Sequence, residues 1–214
     1  MTARLPSRLE PAQDASELLA RAEREERAVE GVHIRDADLS DSRFFGLRFR
    51  GVVLENCRMT GCRWEHADFM DVVLRHCDLS NSDFRDGYFE RVSLDSCKAV
   101  GANFPEASFR QAEVADCALS YAGFDRAVLR DTVFSRTDLS FAALTECTWK
   151  RVAFEQTSFR GASVLHTPLA GLDLTTCDLD SLAASDTNQE LRGAVVTAMQ
   201  AAELAKRLGL IVRD

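Results

Sequence analysis

From Ile34 to Leu179 every fifth residue is apolar, an unbroken series of 30 positions. It runs Ile34, Leu39, Phe44, Phe49, Leu54, Met59, Trp64, Phe69 and onward to Leu169, Leu174 and Leu179, with Ala99 its one small member. Apolar residues make up 46% of the chain, so chance would give such a run about once in 10^10 tries. The period is neither the 3.6 of an amphipathic helix nor the 2 of a half-buried strand. A fixed short period over most of a chain implies stacked units that cannot bury their apolar residues alone.

A second register sits two residues before each centre. It reads Val32, Ala37, Ser42, Leu47, Val52, Cys57, Cys62, Ala67 and so on to Cys177, and 28 of its 30 members are Ala, Cys, Ser, Thr, Val or Gly. One large and one small inward residue per five suit a narrow tube, with large side chains on the axis and small ones where backbones crowd. The segments Ala37-Asp38-Leu39-Ser40-Asp41, Ala67-Asp68-Phe69 and Ala102-Asn103-Phe104 resemble the A(D/N)LXX consensus of the pentapeptide-repeat family. That resemblance covers residues 32 to 182. It implies an all-β solenoid, a right-handed quadrilateral β-helix with four pentapeptides per square coil and about 7.5 coils.

The residues support a 20-residue coil on their own account. Sorted every 20 positions, the centres separate into aromatic columns (Phe44, Trp64, Phe84, Phe104, Phe124; Phe49, Phe69, Phe89, Phe109) and aliphatic ones (Leu54, Leu74, Leu94, Val114). At strand spacing of about 4.8 Å per coil the rod is roughly 36 Å long.

The 214 residues carry a net charge of −8. A phosphate footprint needs clustered Lys and Arg, so direct binding to nucleic acid or an anionic membrane is not expected. No stretch is long enough to span a membrane and no signal pattern opens the chain, so a cytoplasmic address is expected. All seven cysteines lie in the small register, where Cys serves as a small hydrophobe rather than a disulfide or metal ligand. The histidines His33, His66, His76 and His166 lack ligand spacing. With no phosphate loop or nucleophile elbow, neither an enzyme nor a cofactor is expected.

Three parts are expected: an N-terminal tail and capping helix (1–31), the β-helix (32–197), and a C-terminal helix and strand (198–214). Residues 1–12 read as frayed. Asp14-Ala15-Ser16-Glu17 resembles a capping box opening a helix from Ala15 to Val29, ended by Gly31. After Leu179 a loop over 183–188 precedes a repeat shifted by two residues, with Leu191 and Val196 as centres. A helix over 198–208 and a short strand over 210–212 follow. Met199, Leu204, Leu208, Leu210, Ile211 and Val212 need a cover, either as a lid on the last coil or as a twofold dimer contact. Arg192-Gly193-Ala194, Gln200-Ala201 and Arg207-Leu208-Gly209-Leu210 resemble the C-terminal module of the quinolone-resistance (Qnr) pentapeptide proteins and their mycobacterial relative. This resemblance implies a head-to-head homodimer that imitates B-DNA, binds DNA gyrase or topoisomerase IV, and confers drug resistance or self-immunity against a poison. The uninterrupted coils lack the projecting loops of several Qnr proteins.

Two surface features are candidate partner sites. Asp38, Asp78, Asp138 and Asp178 recur at multiples of 20 and, with Asp41 and Asp180, form an acidic column interrupted by Arg58, Lys98 and Arg160. Either these carboxylates support turns or they imitate duplex phosphates for a basic groove. Tyr121 and Phe141 fall in adjacent coils at one outward position, as a protein contact or as a self-stacking pair.

Overall fold

The computed structural model describes residues 3–207 and 209–212. Residues 20 apart are partners in parallel pairings on all four sides. Strand Arg48–Glu55 pairs with Asp68–Arg75, placing Phe49 on Phe69 and Leu54 on Leu74. Val128–Ser135 pairs likewise with Thr148–Glu155. On the other two sides isolated bridges climb the rod, Asp38 to Arg58 to Asp78 to Lys98 on one and Asp83 to Asn103 to Gly123 to Ala143 on the other. The molecule is a parallel β-solenoid with a square cross-section.

The corners fall two residues after each centre and take left-handed backbone, from Asp36 (φ 54°) and Asp41 (φ 58°) to bulky Arg91 (φ 53°), Tyr121 (φ 60°) and Phe141 (φ 59°). Such residues ordinarily avoid this region. Here each corner N–H reaches a carbonyl of the next coil, as Asp41 does to Thr60 at 2.9 Å and Phe141 to Arg160 at 2.8 Å. The hydrogen bonds offset the conformational cost once per pentapeptide.

The axis is filled. Phe69 stacks on Phe49 and Phe89 with ring centroids 4.9 and 5.0 Å away and planes within 5°. Phe104 stacks between Phe84 and Phe124 (5.0 and 4.9 Å) and meets Phe89 and Phe109 edge to face. All seven cysteines are free and buried. They do more than fill space: Cys57, Cys77, Cys97 and Cys117 each donate through Sγ to a carbonyl 23 residues earlier. Thr137 and Thr157 take over the role higher in the same column. That rung wants a small side chain with a donor, which explains Cys and Thr there.

The ends depart from expectation in four respects. Helix α1 is Ala15–Arg24, capped by the Asp14 carboxylate on the Glu17 N–H at 3.0 Å. It stops earlier than expected because Glu26 turns left-handed and Ala28–Glu30 is taken by pairing with Arg48–Arg50. Val29, five residues before Ile34, is therefore the first centre, and the rod begins at residue 28 rather than 32. Leu19 and Ala22 of α1 are buried over this end, as a capping helix requires. Residues 4–11 are held rather than frayed: Glu10–Pro11 pairs with Val32–His33, and the Arg4 N–H donates to Asp71 at 2.8 Å. Pro6 lies so close to Gly51 that a β-carbon there would sit 2.9 Å from its ring.

At the other end the two-residue shift is present, since the N–H groups of Leu169 and Leu174 bond to Glu190 and Val195, each 21 residues on. The usual offset is 19, as from Leu39 to Arg58. Helix α2, Ala198–Lys206, lies across the end behind a Thr197–Gln200 capping box. The Gln200 amide also donates to the last-coil carbonyls of Leu174 and Cys177 at 2.8 and 2.7 Å. Residues 210–212 form no strand, since a strand needs a ladder partner and they have none among the described residues.

Candidate protein-interaction surface

Because the axis is solid, every side chain able to meet a partner stands on an outer column. The acidic column is real as geometry: Asp38, Asp78, Asp138 and Asp178 lie on one side at the predicted multiples of a coil. Each accepts a backbone N–H two residues on, from Ser40 (3.1 Å), Ser80 (3.0 Å), Ser140 (2.9 Å) and Asp180 (3.0 Å). The recurring Asp-Leu-Ser thus supports its own turn. The Ser40 contacts, with Arg58 as a lesser cause, hold the Asp38 carboxyl below its ordinary value. Cations stack between the acids: Arg58 lies 3.6 Å from Asp38, Lys98 3.3 Å from Asp78, and Arg160 3.5 and 3.8 Å from Asp178 and Asp180. Asp138 has no cation within 4 Å among the described residues, and the Asp41 carboxylate leans over Gly61. The column alternates in charge from Asp38 to Lys98, and above that Ala118 and Ser158 flank Asp138.

The aromatic pair is also in place. Tyr121 and Phe141 stack at 5.1 Å and 11° while remaining 62% and 51% exposed. Phe141 leans over Gly161, where a β-carbon would come within 2.6 Å of the ring. Beside them runs an uncharged strip, Gly123, Ala143, Ser163 and Ala183, bridged coil to coil. Phe45 is exposed and packs edge-on against His66, and Met70 is half-buried.

Two family models match this chain, a pentapeptide repeat region over residues 67–129 and an eight-copy pentapeptide repeat over 115–148. Both fall on the square coils just described. Pentapeptide repeats thus build the coils of this chain. No curated protein sequence matches it significantly. Among solved structures it is similar to full-length QnrB1, a plasmid-mediated fluoroquinolone resistance protein, at 22% identity over 94% of this chain and 95% of that one, with a TM-score of 0.49. It is also similar to HetL from the cyanobacterium Nostoc sp. strain PCC 7120, a protein involved in heterocyst differentiation regulation, at 16% identity over 86% and 98%, with a TM-score of 0.34. A third is a pentapeptide repeat protein of the Arabidopsis thaliana thylakoid lumen, at 18% identity over 54% and 66%, with a TM-score of 0.38.

The tail of this pentapeptide-repeat rod presents apolar surface. Met199 is 80% exposed and Ile211 84%, with Leu210 and Val212 also exposed. Leu204 differs, being half-buried against the core. Leu208 lies outside the described residues. Sequence reasoning missed what pins this end. Glu190 is 4% exposed, and its carboxylate accepts the N–H groups of His166 and Ser185 and the Ser185 hydroxyl. Burial alone raises its pKa, but these bonds and its own N–H overcome that and lower it to about 2. Arg207 donates to the carbonyls of Leu182 and Ala184, clamping α2 to the loop before it.

A corner motif was also missed although its signal lay in the sequence. Arg91, Arg126, Arg136 and Arg151 each pair with an acid 20 residues earlier, Asp71, Glu106, Asp116 and Asp131. Among the described residues no group of three His, Cys, Asp or Glu could hold a metal ion, and no helix is long and apolar enough to cross a membrane.

Proposed function

We propose that this chain is a non-catalytic docking rod whose partner is a type II topoisomerase, DNA gyrase or topoisomerase IV, which it engages in the cytoplasm in place of duplex DNA and protects from a poison. The observation that carries a docking role is the filled axis: stacked Phe and Leu columns leave no interior for chemistry, so what distinguishes the molecule is outside. Net charge of −8 suits a partner groove built for DNA. The exposed apolar tail suits a twofold contact that would join two rods end to end. The test is gyrase supercoiling with and without a poison such as a fluoroquinolone. Expected is a change in supercoiling, or rescue from the poison, at micromolar protein. A folded dimer that alters neither would overturn the topoisomerase reading.

A second reading is a scaffold for another protein. It is favoured by the cations stacked within the acidic column, which make a poor copy of a phosphate row, and by the exposed Tyr121–Phe141 pair beside an uncharged strip, which suits a less charged partner. Pull-down lost on replacing Tyr121 and Phe141 by Ala, with gyrase indifferent, is its signature.

A further inference from the structure

Six cations on this rod are paired with an acid one coil earlier. Arg58, Arg91, Lys98, Arg126, Arg136 and Arg151 each sit within 4 Å of a carboxylate 20 residues earlier. Two columns instead stack cation on cation: Arg43 stands opposite Arg63, and a longer stack lies on another side. Strand pairing puts Arg110 opposite Arg130, and Arg130 opposite Lys150, so three exposed cations stand on one another in successive coils. Like charges directly opposite on neighbouring strands are unfavourable. No carboxylate lies within 4 Å of any of the three among the described residues.

The nearby acids are already engaged. Glu90 accepts from the Tyr88 hydroxyl at 2.7 Å and from Arg91. Asp131 takes both forks of Arg151. Arg110 has only a long contact, 3.4 Å, to the Tyr88 hydroxyl. The ladder lines a surface groove of about 230 Å³ with Glu90, Gln111, Asp131 and Arg151 on its walls. Glu90 stands opposite Arg110, yet with Arg151 the groove lining carries four cations against two acids, so it is net positive on a chain that is acidic overall.

We infer that the Arg110–Arg130–Lys150 groove binds a short linear oligophosphate, either the triphosphate of a nucleotide or a short inorganic polyphosphate. Three charges at about 4.8 Å steps call for a linear anion of several charges within roughly 10 Å. Guanidinium forks match phosphate oxygens bidentately, and a lysine adds a point charge. An extended acidic peptide presents same-side carboxylates about 6.8 Å apart, out of step with the coils. A long nucleic acid would run past the ladder onto the acidic remainder of the rod. This inference does not depend on the topoisomerase reading.

The test is isothermal titration of the full chain at low salt with tripolyphosphate, ATP, orthophosphate and a short poly-glutamate peptide. Expected is saturable one-to-one binding of tripolyphosphate, at least tenfold weaker in the R130Q/K150Q variant and unchanged in R43Q/R63Q, which removes the same charge from another column. ATP binding as tightly as tripolyphosphate assigns a nucleotide, and ATP binding tenfold weaker assigns inorganic polyphosphate. Both substituted residues are exposed, so the variant keeps the fold. A second readout follows, in which tripolyphosphate raises the unfolding temperature of the wild type but not of R130Q/K150Q. No tripolyphosphate binding at 1 mM, equal loss in R43Q/R63Q, or tighter binding of poly-glutamate each overturns the proposal.

Discussion

Replacing Phe104 by Ala tests whether the stacked centres hold the rod together. The ring is 2% exposed and lies between Phe84 and Phe124, with Phe89 and Phe109 against its edges. Losing its burial costs about 2–3 kcal/mol. The hole cannot close, because the backbone on both sides is fixed by coil-to-coil hydrogen bonds such as Phe104 N–H to Gly123 at 2.7 Å. A cavity contribution brings the expected loss to about 4 kcal/mol, within the range of buried Phe→Ala changes. Phe104→Leu keeps most of the volume and places there the residue already used at Leu144 in that column. It should cost about 1–1.5 kcal/mol. Phe45→Ala, one position after a centre and 64% exposed, should stay within about 0.5 kcal/mol. Urea unfolding followed by circular dichroism reads all three. A Phe104→Ala loss below about 1.5 kcal/mol, or a Phe45→Ala loss equal to it, would refute the assignment of stability to the five-residue register.

Glu190 gives a pH-dependent prediction. Its folded pKa of about 2 lies below the ordinary value near 4.3, so its contribution is present above about pH 4.3 and lost as pH falls through 2. The size is on the order of 3 kcal/mol. Glu190→Gln should destabilise the C-terminal end at pH 7, and the gap from wild type should vanish near pH 2 in denaturant titrations. Met199→Asp with Ile211→Asp should give monomers in sedimentation while leaving the unfolding midpoint of the coils in place. Unchanged mass would leave the tail as a lid.

The rod was legible because its signal repeats. A single apolar residue at one position says little, whereas 30 in phase fix the coil length, the columns and the stacking of Phe84, Phe104 and Phe124 before any coordinate. Legibility failed where the repeat meets something that occurs once. Val29 is in phase with Ile34, yet it also continues the charged helical run from Ala15, and only pairing with Phe49 decides between them. The N-terminal arm looked loose because its anchors, Pro6 on Gly51 and Arg4 on Asp71, are single long-range contacts without a local pattern. Glu190 was unremarkable by neighbourhood, and its role comes from folding the 183–188 loop back onto it.

The candidate surface shows a subtler limit. Sequence places Asp38, Asp78, Asp138 and Asp178 in one column, but a row of like charges exists only if the intervening coils leave them unpaired. Here Arg58 and Lys98 occupy the rungs between, and Arg160 sits beside Asp178. The same register that makes acids line up makes their counter-ions line up with them. A solenoid of this kind tends toward neutral columns, because stacked like charges oppose the pairing that builds it. Deviations from that tendency therefore carry more functional information than the abundance of either sign. By this criterion the three-cation ladder and the exposed Tyr121–Phe141 pair stand out more than the acidic column, and substitutions there should be the first to separate one partner from another.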